Sequence, residues 1–386
     1  MKSRLSTAAL AAALGLGLAV AGPAAAKTKV GLLLPYSGTY AALGGEITDG
    51  FNLALAESGG DEVVVVSADT EVKPPVGLAM ARKLVLQDKV DVMVGIVSSG
   101  VLGAVRNFVD GMKVPLIVAN AGNDGATGAQ CSKYITRVSF SNSQVNRPMG
   151  TWMAENGVKK VYTLAPDYAA GHQQIGAFKA AFEAAGGEVV GGEFTPFGKT
   201  KDFGPYLTKA KSSGAEAVYV FYAGGEAISF VKQYGSFDME QKLYGSGFLT
   251  SPLYVKAEGD AAVGVTTSLH YVPTLDTERN AAFIEAFKAK YGRMPSEYAV
   301  AGYDSAKVLL MAMAQGAKGR EAIAGALPKI SYTGPRGPLE IDPATNNVVQ
   351  NVYIYETVKG ADGELTQKVV GTMPAVRDAA NGCTLN

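Results

Sequence analysis

Histidine and cysteine are nearly missing from this chain: each occurs twice in 386 residues. That scarcity removes most metal chemistry, because His172 and His270 stand in no ligand-spacing motif. The chain past its leader also lacks a phosphate-binding P-loop, a Gly-x-Ser-x-Gly elbow, and a Gly-x-Gly-x-x-Gly turn after a strand. No cofactor and no metal are therefore expected, and catalysis has no visible machinery. An excess of charge is lacking too, since Lys plus Arg number 35 and Asp plus Glu 35. Such a balance leaves no electrostatic footprint for nucleic acid or an anionic membrane. Beyond the leader there is no apolar run of the roughly 18 residues that a membrane span needs, so no direct membrane insertion is expected.

The N-terminal stretch reads as a secretory leader over residues 1–26. Lys2 and Arg4 form a basic start, Ala8 to Val20 is an almost unbroken Ala/Leu/Gly run, and Pro23-Ala24-Ala25-Ala26 offers small residues for cleavage. A buried N-terminal helix is the alternative, but no polar face marks it. The mature chain is expected to start near Lys27. A lipid anchor would need a cysteine there, and the first cysteine is Cys131. The expectation is a protein free in the periplasm, not a tethered one. Cys131 and Cys383 suit an oxidising compartment. They either form one disulfide tying the C-terminal tail to a distant loop or remain two unreactive thiols.

About 360 residues remain after the leader, more than one core usually serves, so two domains are expected. Apolar runs alternate with helical stretches. Strands are expected at Lys29–Leu34, Val63–Ser67, Asp91–Ile96 and Val114–Ala119, with helices at Tyr40–Glu57, about Val76–Asp88, and up to about Asp110. The pattern restarts with strands at Lys160–Ala165, Glu188–Phe194 and Ala217–Tyr222 and helices near 170–185 and 204–213. Short strands at Lys242–Tyr244 and Gly264–Ser268 follow. Two long helical stretches come next, Thr277–Tyr291 and Tyr298–Gly316, before a final β pair, Asn351–Thr357 and Leu365–Val370. Continuous apolar strands between amphipathic helices indicate parallel sheets covered on both faces. The expected fold class is α/β, two doubly wound, Rossmann-like lobes. No Pro/Gly/Ser linker separates the halves, so the chain is expected to cross between them more than once. Ligands of such sheets sit beyond the C-terminal strand ends, which places one cleft between the lobes.

Several segments carry a resemblance when taken together and in order. They are Gly31–Gly44 (GLLLPYSGTYAALG), Asp91–Gly100 (DVMVGIVSSG), Pro115–Thr127 (PLIVANAGNDGAT), Asp167–Gly171 (DYAAG), Phe221–Gly225 (FYAGG), Leu243–Thr250 (LYGSGFLT) and Tyr298–Asp304 (YAVAGYD). The chain resembles the type I periplasmic binding proteins of the branched-chain amino acid (Leu/Ile/Val) family, over essentially its whole mature length. Its AALG, NAG, YAAG and GFLT variants are most similar to the branch associated with aromatic acids such as benzoates. The resemblance implies an N-terminal lobe of residues 27–145 plus about 275–330, and a C-terminal lobe of 146–274 plus about 331–386.

Ser98-Ser99-Gly100 ends a strand and opens a helix, where N–H groups and a hydroxyl can receive a carboxylate with help from the helix dipole. Otherwise Ser98 and Ser99 are a plain N-cap. The resemblance implies Ser99 as the carboxylate-binding serine and Ala121 and Asn123 as a second set of donors. It also implies Tyr168 as the aromatic that closes over the ligand. Leu43 and Phe248 supply apolar wall or core packing. In relatives that bind α-amino acids, an acidic residue meets the ammonium where this sequence has Gly247-Phe248. Its absence favours a carboxylate without an ammonium, because an unpaired buried ammonium costs several kcal/mol. Glu226 points the other way: it either pairs with an ammonium or complements a helix dipole.

The reading is therefore a substrate-binding component of an ABC importer, taking a small carboxylate by hinge closure and handing it to permease subunits, as a monomer. Branched-chain or other hydrophobic amino acids are the alternative ligands. A sensing module for a chemoreceptor or kinase is the alternative role.

Overall fold

Strands that are apolar on both faces can be buried only inside a sheet covered on both sides, and this chain builds two such sheets. The computed structural model describes residues 27–385, so the expected leader lies outside the described residues. The first unit runs β1 (Thr28–Leu34), α1 (Ala41–Glu57), β2 (Val63–Asp69), α2 (Pro74–Arg82), β3 (Val92–Gly95), α3 (Ser99–Gly111), β4 (Leu116–Val118) and β5 (Ile135–Arg137). Helix α2 opens on two prolines, whose missing N–H groups cost nothing in a first turn, and runs on as a π-turn at Lys83–Gln87. The sheet order is β2-β1-β3-β4-β5 with every pairing parallel.

Residues 138–141 carry the chain into a second unit. It contains α4 (Asn142–Glu155), β6 (Lys160–Pro166), α5 (Ala169–Ala184), β7 (Glu188–Thr195), α6 (Gly204–Lys211) and β8 (Ala217–Val220). It goes on through α7 (Gly225–Ser236), β9 (Lys242–Ser246), α8 (Val255–Glu258) and β10 (Thr266–Leu269). Residues 270–277 cross back to α9 (Glu278–Tyr291), α10 (Glu297–Ala314) and α11 (Arg320–Ala326), and α10 packs along α1. A third crossing leads to β11 (Ser331–Gly334), β12 (Gly337–Asp342), β13 (Asn347–Lys359) and β14 (Leu365–Val376). The second sheet is ordered β11-β12-β13-β10-β9-β8-β6-β7, with β14 on β13. Its β6 to β10 portion is parallel, and β13 joins antiparallel to β10.

The expected doubly wound α/β lobes with a cleft between them are present. Helix α4, strand β5 and the β11–β12 hairpin add to the sequence pattern. Strand β5 is only three residues long, and α4 carries Pro148 inside a polar sequence. Even so, α4 buries Val145, Met149 and Met153 in the core. The hairpin is interrupted by Pro335 and Gly337, which hide its alternation. Of the two possibilities for the cysteines, the structure has the disulfide: Cys131 and Cys383 are joined with their Cα atoms 5.6 Å apart. No helix among the described residues is long and apolar enough to cross a membrane.

Candidate functional site

In each doubly wound sheet, connections leave neighbouring strands in opposite directions at one point, and a crevice opens there. In the first sheet that point lies between β1 and β3, and in the second between β6 and β8. The two crevices face each other around a cavity of about 280 Å³. Nearly every lining segment follows the C-terminal end of a strand. Tyr40 and Leu43 come after β1, Val97 and Ser99 after β3, and Asn120 and Gly122 after β4. From the other sheet come Tyr168, Ala170 and Gln174 after β6, Phe221 and Ala223 after β8, and Phe248 after β9. Phe140 and Asn142 arrive from the first crossing and Tyr298 from the start of α10.

The polar end is built around the start of α3. Ile96 turns the chain from β3 toward the helix at φ 65°, a conformation that a β-branched residue adopts only under constraint. Two backbone bonds hold it: its N–H donates to Leu33 O at 2.8 Å, and its carbonyl accepts from Ala121 N–H at 2.9 Å. This turn brings Ser99 to the cavity as the first residue of α3, and no side chain caps that helix. The open first-turn N–H groups and the dipole favour an anion there. Asn142 Nδ2 donates to Ser99 Oγ at 3.1 Å and to Gln173 Oε1 at 2.7 Å. Gln174 Nε2 donates to Asn142 Oδ1 at 3.3 Å. Ser99 is thereby held in an amide network reaching both lobes.

The remaining wall is aromatic. Phe248 lies 5.1 Å from Phe140, 5.8 Å from Tyr298 and 6.2 Å from Phe221, ring centre to ring centre. Tyr168 stacks on Phe197 at 4.1 Å, and Phe197 in turn lies 5.7 Å from Tyr40. Burial pushes the hydroxyls of Tyr40, Tyr168 and Tyr298 far above the ordinary tyrosine value, so all three are neutral donors. The lining carries no Asp, Glu, Lys or Arg side chain. A ligand here meets hydroxyls, amides and rings, but no counter-charge for an ammonium.

Of the residues expected from sequence, Ser99, Tyr168, Phe248 and Leu43 line this cavity, while Ser98, Ala121, Asn123 and Glu226 do not. Ser98 is the buried N-cap residue of α3. The donors expected of Ala121 and Asn123 are engaged elsewhere, because the Ala121 N–H is spent on Ile96. Asn123 Nδ2 donates to the Ser99 carbonyl at 3.0 Å, which braces Ser99 from behind. Their neighbours Asn120 and Gly122 take the places on the wall. Glu226 lies in the first turn of α7 and accepts the Gly198 N–H at 2.9 Å; it is not in the lining, but its charge helps raise the hydroxyls of Tyr40 and Tyr168, which are. Burial raises its carboxyl to about 7.

Gly247 explains the missing acidic residue in physical terms. A Cβ there would come within 2.2 Å of Tyr355 Oη and 2.5 Å of Leu269 Cβ, so no side chain fits. Asn142, Gln174, Phe140 and Tyr298 escaped the sequence reading. They sit on helices and a crossing, and the resemblance that singles out Ser99 and Tyr168 carries no site role onto them.

A family model described as periplasmic binding protein matches residues 27–363. A Leu/Ile/Val-binding protein homologue of Brucella melitensis is 33% identical over 382 residues, covering 94% of this chain and 96% of that protein. A solute-binding protein of an ABC transporter from R. palustris, solved in complex with benzoate, is 38% identical with a TM-score of 0.87. The match covers 93% of this chain and all of that one, 100%. A second, from Rhodopseudomonas palustris BisB5 in complex with 3,4-dihydroxybenzoic acid, is 33% identical with a TM-score of 0.87, covering 91% and 98%.

Proposed function

We infer the ligand from a plain premise: the chain belongs to the periplasmic binding protein family, as the substrate-binding protein of an ABC transporter, and is not an enzyme. The ligand is an aromatic monocarboxylate of the benzoate type. The observation that carries this reading is the cavity itself, a small aromatic box with an uncapped helix start at one end and no charged side chain in its lining. The carboxylate sits at the start of α3 against Ser99 Oγ. The ring lies among Phe140, Phe221, Phe248 and Tyr298. The benzoates bound by the two R. palustris proteins support the same ligand class.

The lobes are residues 27–145 with about 275–330, and 146–274 with about 331–386. The first holds the acid in the open form and the second closes over it through Tyr168. Closure is a population shift, driven only by the ligand's extra affinity for the closed state. The importer's permease subunits receive the closed form. The mature chain acts as an untethered monomer in the periplasm after loss of the leader.

A thermal-shift screen of residues 27–386 tests this. One panel holds benzoate, hydroxybenzoates, phenylacetate and cinnamates; the other holds leucine, isoleucine, valine and the aromatic amino acids. A ligand at about 100 times its Kd adds roughly 2.7 kcal/mol of stability. Stabilisation by amino acids alone would overturn the reading.

A further inference from the structure

Behind the cavity wall at Phe140 lies a fully buried guanidinium that is not part of the lining. Arg336 occupies the turn of the β11–β12 hairpin, just after the third crossing. Its Nε lies 2.6 Å from Asp304 Oδ2 on α10, and both side chains are wholly buried. Its Nη1 donates to the Ser139 carbonyl at 3.1 Å and to Gln350 Oε1 on β13 at 2.6 Å, and its Nη2 donates to the Val138 carbonyl at 2.5 Å. Gln350 Nε2 adds a second bond to the Ser139 carbonyl at 2.7 Å. One side chain therefore grips a helix packed along α1 of the first unit, a strand of the second sheet, and the first crossing between them.

The next residue after Ser139 is Phe140, a cavity wall. Its ring stacks on His270 of the second crossing at 5.6 Å. We propose that Arg336 is the pivot of the hinge, a positioning residue that fixes Phe140 in the wall and so sets how long a bound acid is held. The reason is energetic. Lobe rotation that parted Arg336 from Asp304 would leave two buried charges uncompensated, a far larger penalty than bending a chain at a site free of charge. The rotation axis therefore passes close to Arg336, and the motion is largest on the far side, where Tyr40 meets Tyr168. Lysine keeps the charge opposite Asp304 but has no planar fork to hold two carbonyls and an amide at once. The inference rests on the cavity being the ligand site, as under the proposed function.

The test compares association and dissociation rates of benzoate for the unaltered mature protein and for Arg336→Lys. Whether benzoate binds the unaltered protein tests the functional reading. The ratio of rates tests the pivot, and another bound aromatic acid serves equally for it. The expected result is dissociation about tenfold faster with association unchanged to within about twofold, the pattern of a lost closed-state constraint. Ile323→Val, a buried change in α11 away from the cavity, should lower thermal stability and leave both rates alone. Dissociation from Arg336→Lys within about twofold of the unaltered rate overturns the proposal. Should Arg336→Lys not fold, Gln350→Leu removes the uncharged half of the grip on Ser139. An unchanged dissociation rate in that variant overturns it as well.

Discussion

Tyr40 and Tyr168 meet hydroxyl to hydroxyl at 3.1 Å, one following β1 of the first sheet and the other following β6 of the second. The lobes also touch next door: a Cβ at Gly224, which has φ 59°, would lie 2.7 Å from the Thr39 carbonyl. Only a glycine combines that backbone with so close an approach. The two tyrosines thus bond across the cleft, and under the proposed hinge closure they act as its latch. A latch of this kind contributes to ligand affinity through the closed state.

Tyr168→Phe should accordingly weaken aromatic-acid binding by about five- to tenfold, matching the roughly 1 kcal/mol of one net hydrogen bond. Tyr40→Phe should do the same, and the double variant should be no worse than about either single one, because both remove one bond. Calorimetric titration of the three variants checks this. Additive losses would mean that the hydroxyls act separately on the ligand.

Asn142→Ala removes the donor that orients Ser99 and leaves Gln174 without an acceptor for its amide. Ser99→Ala removes the hydroxyl itself. Each should weaken binding by about tenfold, or 1.4 kcal/mol. Asn123→Ala acts one step further back, through the Ser99 carbonyl, and should cost less. If Asn123→Ala proved as damaging as Ser99→Ala, the carboxylate would be seated differently.

Much of this architecture was legible because a parallel strand buried on both faces must be written in continuous apolar residues, as in β1, β3, β4 and β8. Strand ends also point to where a site lies, and the family resemblance carried by those segments is how Ser99 and Tyr168 could be singled out. The register of donors beyond β4 was not legible. Whether Ala121 or its neighbours face the cavity depends on the backbone bond from Ala121 to Ile96, and that bond follows from the strained turn at Ile96. Nor could periodicity reveal Asn142 and Gln174, whose helices carry them inward by packing α4 on α5. The buried Arg336–Asp304 pair joins residues far apart in sequence and leaves no local pattern at all.

The disulfide ties the C-terminal tail across the molecule. Beyond β14, Asp378 accepts from Ser141 Oγ and from Asn347 Nδ2, the latter at 2.9 Å, and Asn381 Nδ2 donates to Thr127 O at 3.0 Å before Cys383 reaches Cys131. The bridge spans 252 residues, so it constrains the unfolded chain over most of its length. Replacing both cysteines by serine should lower unfolding free energy by about 2–4 kcal/mol in denaturant titration. An unchanged midpoint would mean that the polar contacts of the tail alone hold it.

Stability should fall as pH rises, which is the reverse of a protein held by ionised carboxylates. Burial raises the carboxyl of Glu258 from an ordinary 4.5 to about 9 and that of Glu297 to about 8. Neither Glu258 oxygen has a hydrogen-bond partner among the described residues, and the side chain is 2% exposed. The folded protein therefore keeps a proton that the unfolded chain releases near 4.5. Below that pH both states hold it, and its contribution to stability is fully present. Between 4.5 and 9 the unfolded state binds fewer protons, so the stability of the native state declines with each step in pH. Glu258→Gln puts an amide, which does not ionise, at the same place. It should unfold at nearly the wild-type temperature at pH 5 and at a higher one at pH 9. The gain at pH 9 should be of order a few kcal/mol, the cost of keeping a proton on a buried acid in alkaline solution. Equal melting temperatures at both pH values would show that Glu258 ionises freely in the native state, and would place water or a mobile neighbour against it.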